Sequence, residues 1–155
     1  MPGMMDTVLN IGLNDETVEG LAKISNNPRF AWDSYRILIM MFADVVMEKA
    51  NGFLPAGGKG IPKILDDQLV AIKKNKNLQS DTDLSVEDLK ALVGQFKDTI
   101  IQSFDQEFPQ DPHVQLRESI SAVFKSWNGK RAKEYRRIEH IPDHWGTAVN
   151  VQMMV

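Results

Sequence analysis

Apolar residues recur at helical spacing through most of this chain. Val18, Leu21 and Ile24 follow Asn14-Asp15, a pair that can cap a helix, with Glu16 well placed in the first turn. Asn26-Asn27-Pro28 ends that helix. Residues 30–49 are apolar on most faces, which predicts a central, buried helix. The stretch 51–62 holds four glycines and two prolines and reads as a loop. Ile64, Leu65, Leu69, Val70 and Ile72 predict a shorter helix ahead of the polar stretch 73–83. Ser85-Val86-Glu87-Asp88 has the form of a capping box, with Asp where Glu or Gln is commoner. Behind it Leu89, Leu92, Val93, Phe96 and Ile100 form one stripe. Asp111-Pro112 opens a further helix, with Asp as cap and Pro at the first helical position. Its stripe is Leu116, Ile120, Val123, Phe124 and Trp127, and Asn128-Gly129 breaks it. Residues 131–139 predict a short basic helix, and Ile141-Pro142-Asp143 a turn.

The two ends differ from the middle. Thr7-Val8-Leu9-Asn10-Ile11 is β-prone, and residues 147–155 alternate like a strand. Pairing between residues near Val8 and residues near Val149 would give a two-stranded ribbon, which is marginal unless it packs on something else. The expected fold is therefore mainly α, with five or six helices and a small β element, and the ends read as severed pieces of a larger core.

Composition narrows the classes. The chain has 155 residues and a formal net charge of −3, from 18 basic and 21 acidic residues. So balanced a charge argues against nucleic acid or an anionic membrane as the main partner. There are no cysteines, hence no disulfide framework and no thiolate chemistry. The most apolar run, residues 37–47, is far shorter than the ~20 residues a spanning helix needs, and it carries Asp44. The first residues lack a basic segment followed by an apolar one, so a cytoplasmic protein is the expectation. His140 and His144 are four apart, but Pro142 prevents a shared helical face. These two and His113 are read as surface or structural residues. The acidic pairs Asp66-Asp67, Asp81/Asp83 and Glu87-Asp88 sit where loops and helix starts ordinarily place acids, and no metal ligand is assigned among them.

Several stretches together resemble the pyruvate, phosphate dikinases. They are Met1-Pro2-Gly3-Met4-Met5-Asp6 with the residues through Asp15; Asn27-Pro28-Arg29-Phe30-Ala31-Trp32-Asp33-Ser34-Tyr35-Arg36 with Met41-Phe42-Ala43-Asp44-Val45-Val46; Phe108-Pro109-Gln110-Asp111-Pro112; and Phe124-Lys125-Ser126-Trp127, Tyr135-Arg136-Arg137, Ile141-Pro142-Asp143 and Trp145-Gly146-Thr147-Ala148-Val149-Asn150-Val151-Gln152. They span the chain in the family's order. Phosphoenolpyruvate synthases differ at the first stretch. Members of the family are several times longer. They convert ATP, phosphate and pyruvate to AMP, pyrophosphate and phosphoenolpyruvate with magnesium, through a phosphohistidine on a mobile domain. The resemblance implies an internal piece of the N-terminal ATP-grasp domain. Residues 1–13 would be a phosphate-loop and strand piece of the nucleotide-binding core, 14–128 a helical insertion subdomain, and 129–155 a return helix and strand.

The resemblance also implies roles. Gly3, Met4 and Met5 fall in the glycine-containing loop that clamps the β- and γ-phosphates; on turn statistics alone Pro2-Gly3 is simply a turn. Gln152, Met154 and Val155 fall on the strand that lines the adenine pocket; without the resemblance they belong to a half-buried strand. Arg131 falls on the surface that meets the phosphohistidine domain, while a basic cluster by itself is usually a solvated face. The resemblance assigns no catalytic residue here, because the family's catalytic histidine belongs to another domain, and no magnesium ligand, because the family's magnesium-binding carboxylates match no position here. ATP, the phosphohistidine and C-terminal domains of the parent chain, and a homo-oligomeric parent are the implied partners. The fragment by itself would be inactive. A free-standing helical interaction module, or a piece of a phosphoenolpyruvate synthase, are the competing readings.

Overall fold

The computed structural model describes residues 4–52 and 58–153. Six α-helices follow one another among them: α1 (Thr17–Ser25), α2 (Pro28–Phe42), α3 (Ile61–Asn75), α4 (Val86–Phe104), α5 (Pro112–Ser126) and α6 (Lys130–Ile138). Short 3-10 turns lie at Asp81–Asp83 and Asp143–Trp145. The mainly α architecture agrees with the periodicity.

Local chemistry explains the starts. Asn27 Oδ1 accepts from the Phe30 N–H at 3.0 Å, and Pro28 occupies the first turn of α2. At α4 the capping box is complete: Ser85 Oγ accepts from the Asp88 N–H and the Asp88 carboxylate accepts from the Ser85 N–H, each at 3.2 Å. Asp111 Oδ1 accepts from the His113 N–H at 2.8 Å at the start of α5.

The core lies between α2, α3 and α4. Tyr35, Leu38, Ile39 and Phe42 of α2 meet Leu89, Leu92, Phe96 and Ile100 of α4, with Ile61 and Leu65 of α3 beside them, all of them fully buried. Phe108 closes one end, edge-on to Tyr35 and Phe42 with ring centroids 6.0 and 5.4 Å away. α1 packs on α2, and α5 packs on the continuation of α2.

Three expectations need correction. First, the helix expected over residues 30–49 is regular α only to Phe42; Ala43–Lys49 is a π-helical segment. Periodicity does not reveal this, because the face stays apolar while the wider turn rotates its last residues. Second, α5 buries Gln115, Ser119 and Ala122, whereas Leu116, Ile120 and Val123 are only half-buried and Phe124 is 49% exposed. The helix turns its small and polar side inward because a chain segment and another helix approach closely there. Third, the flanking strands are not formed: among the described residues there is no strand, and neither 7–11 nor 147–153 joins a ladder. A β-prone segment becomes a strand only against a partner, and these two segments do not pair with each other.

The segment before α1 is instead held by side chains. Gln115, fully buried, accepts from the Gly12 N–H at 2.8 Å and donates to the carbonyls of Leu13 (2.9 Å) and Pro109 (2.8 Å). Asp15 accepts from the Tyr35 hydroxyl at 2.9 Å and pairs with Lys97 at 2.6 Å. Burial and then Asp15 raise the Tyr35 phenol above its ordinary pKa, while the Gln110 hydrogen bond pulls the other way.

A candidate anion-binding cleft

A cleft of about 310 Å³ opens where four parts of the chain converge. Met4 and Asp6 come from the N-terminal loop, Val45, Lys49 and Ala50 from the end of the π-helical segment, Ala122, Lys125 and Ser126 from the end of α5, and Gly129, Lys130, Arg131 and Ala132 from the start of α6. The loop is tied down by the Asp6 N–H, which donates to Ser126 Oγ at 3.2 Å; Ser126 Oγ in turn donates to the Val123 carbonyl at 2.7 Å. Lys125 Nζ donates to the Ala50 carbonyl at 3.0 Å and so links α5 to the π-helical segment. Lys49 is paired with Asp44 at 2.6 Å.

Gly129 caps α6 without a side chain, so the first-turn N–H groups of this helix receive no side-chain acceptor. An added Cβ would come 3.0 Å from the Ser126 carbonyl oxygen, which accounts for glycine at this tight junction between α5 and α6. Four cationic residues, Lys49, Lys125, Lys130 and Arg131, and one acidic residue, Asp6, are among those that line the cleft, and Lys49 is already paired with Asp44. That is a local excess of positive charge in a chain of net charge −3. Among the described residues neither Lys130 nor Arg131 has an ion-pair partner.

The expected site residues divide four ways. Met4 and Arg131, assigned to separate roles from the sequence, line the same cleft. Met5 lies beside it, its Sδ 4.0 Å from Ser126 Oγ. Gln152 is exposed, away from regular structure, and is not brought to the cleft. Gly3, Met154 and Val155 lie outside the described residues. The basic cluster of α6 splits as well. Arg131, Lys133 and Arg137 are exposed, but Arg136 is buried. Its guanidinium stacks 4.0 Å from the Trp127 ring centroid and donates to Asp143 Oδ1 at 2.7 Å, locking α6 onto the segment that follows it. Lys49, Lys125 and Lys130 were not singled out from the sequence. Lys125 does sit inside the Phe-Lys-Ser-Trp motif, but nothing in the spacing says that it would meet residues about 75 positions earlier.

The family model for the pyruvate phosphate dikinase AMP/ATP-binding domain matches residues 1–155. The chain belongs to this family. Among curated relatives it is 51% identical to pyruvate, phosphate dikinase of Clostridium symbiosum. It is 49% identical to each of the chloroplastic pyruvate, phosphate dikinases 1 of Zea mays and Arabidopsis thaliana. Each alignment covers 100% of this chain but only 17%, 15% and 15% of those relatives, respectively. Among the described residues no group of three or more His, Asp or Glu side chains could hold a metal ion. Nor is any helix among them long and apolar enough to cross a membrane.

Proposed function

We infer that the chain serves as the helical part of the AMP/ATP-binding domain of a pyruvate, phosphate dikinase. The parent reaction would convert ATP, phosphate and pyruvate to AMP, pyrophosphate and phosphoenolpyruvate through a phosphohistidine. The observation that carries this reading is the family match over the whole chain together with the seat of the Met4–Asp6 loop on the end of α5, at the rim of a cationic cleft. In this reading Gly3, Met4 and Met5 present backbone N–H groups to the β- and γ-phosphates, glycine allowing close approach. Gln152, Met154 and Val155 line the adenine side, and Arg131 meets the phosphohistidine domain, where a charged rim steers transient docking. Helical residues 14–128 hold these pieces in place. The parent is read as a cytoplasmic homo-oligomer; the word chloroplastic in the plant relatives' names describes those proteins.

The test uses the full-length parent. Replacing Gly3 with Ile should slow ATP-dependent phosphorylation of the carrier histidine by about 100-fold, since a displacement near 1 Å costs that much. The pyruvate half-reaction should be unaffected. Equal loss in both half-reactions with a normal thermal melt would sink the clamp reading. An unchanged first half-reaction would leave Pro2-Gly3 as a plain turn.

A further inference from the structure

We propose that Asn51 is a site of self-modification, at which the Gly52 backbone nitrogen attacks the Asn51 side-chain amide, Lys125 stabilises the oxyanion, and the product is an aspartate or isoaspartate. The proposal goes beyond the nucleotide reading and does not depend on it. An asparagine followed by glycine is the pair most open to this reaction, because a residue without Cβ lets its nitrogen approach the amide carbon. The chain has two such pairs, Asn51-Gly52 and Asn128-Gly129. The fold treats them differently.

Asn51 and Gly52 are exposed in the turn that follows the π-helical segment. Among the described residues nothing accepts a hydrogen bond from the Gly52 N–H, and a Cβ on Gly52 would meet nothing within 4 Å. The attacking nitrogen is therefore free to lose its proton and to move. Lys125 Nζ donates to the Asn51 side-chain oxygen at 3.4 Å. The same ammonium is anchored by the Ala50 carbonyl at 3.0 Å, one residue earlier in the same turn, so it stays with the turn as the turn moves. A cation on that oxygen draws electrons from the amide carbon and stabilises the negative charge that develops as the carbonyl is attacked. At Asn128 the attacking group is occupied. The Gly129 N–H donates to the Ser126 carbonyl at 2.9 Å, and the Gly129 carbonyl accepts from the Lys133 N–H at 3.0 Å as α6 begins. Attack there would break the junction between α5 and α6.

The steps balance without an oxidant or a reductant. The Gly52 nitrogen loses its proton to solvent and forms a bond to the Asn51 Cγ, and the carbonyl electron pair moves onto the oxygen beside Lys125. That pair returns, the Cγ–Nδ2 bond breaks, and ammonia leaves with a proton from solvent. Water then opens the cyclic imide at either carbonyl, giving aspartate or isoaspartate. Asn51 and Lys125 line one open depression of about 110 Å³, which admits that water. One neutral amide becomes one carboxylate, in a chain whose net charge is −3. The new carboxylate stands at Lys125, which also lines the larger cleft, and so turns a neutral contact there into an ion pair.

The experiment incubates the folded 155-residue chain at mildly alkaline pH and follows both Asn-Gly pairs by peptide mapping, which separates the amide, aspartate and isoaspartate forms. Asn51 should convert at least roughly tenfold faster than Asn128, and in urea, where neither N–H is held, the two rates should converge. Lys125→Met should slow conversion at Asn51 roughly tenfold, the rate equivalent of one charge-assisted hydrogen bond, while Lys125→Arg keeps most of it. Lys125 is exposed, and a thermal melt together with the Asn128 rate checks that both variants stay folded. Comparable rates at the two pairs in the folded chain would overturn the proposal. So would an Asn51 rate that Lys125→Met leaves unchanged or raises.

Discussion

Replacing Gln115 with Leu should destabilise the chain by about 3 kcal/mol, although Leu is the more hydrophobic residue. Gln115 is fully buried and uses both ends of its amide: one acceptor bond, from the Gly12 N–H, and two donor bonds, to the Leu13 and Pro109 carbonyls. Leu is of similar size but cannot make any of the three. Each bond contributes about 1 kcal/mol net, and an abandoned buried partner costs about 1–3 kcal/mol. The backbone partners are only half-buried and regain some water, which keeps the sum near the lower figure. For a chain of this length about 3 kcal/mol lowers Tm by roughly 6–12 °C. Urea unfolding monitored by tryptophan fluorescence gives the free energy, and amide exchange at Gly12 reads the local bond. A loss under about 1 kcal/mol with Gly12 still protected would refute the argument, because it would mean that the segment before α1 is held by apolar contact alone.

Further expectations follow from the same contacts. Asp88 caps α4 and pairs with Lys76, and the hydrogen bond from Lys76, followed by those from Ser85, lowers its pKa. A carboxyl lowered in the folded state contributes stability above its unfolded value of about 3.9 and loses it as pH falls through the folded value. Asp88→Asn should therefore flatten the acid limb of the stability–pH curve, and an unchanged limb would count against the pair. Tyr35→Phe removes a hydroxyl bonded to Asp15 and Gln110 and should cost about 1–2 kcal/mol in chemical denaturation, with a neutral result speaking against that network. The chain alone should bind ATP weakly, with Kd near or above about 1 mM, and micromolar binding by calorimetry would contradict the reading that it holds only part of a nucleotide site.

How much of this was legible depends on the range of the interaction. The stripe Leu89, Leu92, Val93, Phe96 and Ile100 and the Ser85 capping box predict α4 because both signals are local, and all five stripe residues are buried. Asp111-Pro112 marks the start of α5 for the same reason. The buried face of α5 could not be read from its stripe. What selects Gln115, Ser119 and Ala122 is the approach of residues 10–13, about a hundred positions away, and of the π-helical segment. The β-prone ends misled because propensity measures fit to a pleated surface, not the presence of a partner. Arg136 reads as one more surface cation in a basic run until Trp127 and Asp143 are seen to enclose it. Arg131 and Met4 were singled out through the family resemblance, whereas their meeting in one cleft with Lys49, Lys125 and Lys130 is a tertiary fact.

The polar anchoring of the N-terminal segment explains how an almost wholly helical body can position a loop. With no ladder to hold them, residues 4–15 depend on side chains from α2, α4 and α5: Ser126 for Asp6, Gln115 for Gly12 and Leu13, Tyr35 and Lys97 for Asp15. Two of these anchors lie on α5, eleven residues or about 16 Å apart along the helix by its rise per residue. The loop and the cleft therefore share one rigid strut. The same helix carries Lys125 across to the Ala50 carbonyl and hands the chain to α6 through Gly129. A change at Gln115 would thus shift the Met4 side of the cleft, whereas one at Gly129 would shift the Lys130 side. ATP-dependent phosphorylation of the carrier histidine in the full-length parent should respond to both if the cleft is assembled as a unit, and only to Gly129 if the loop merely borders it.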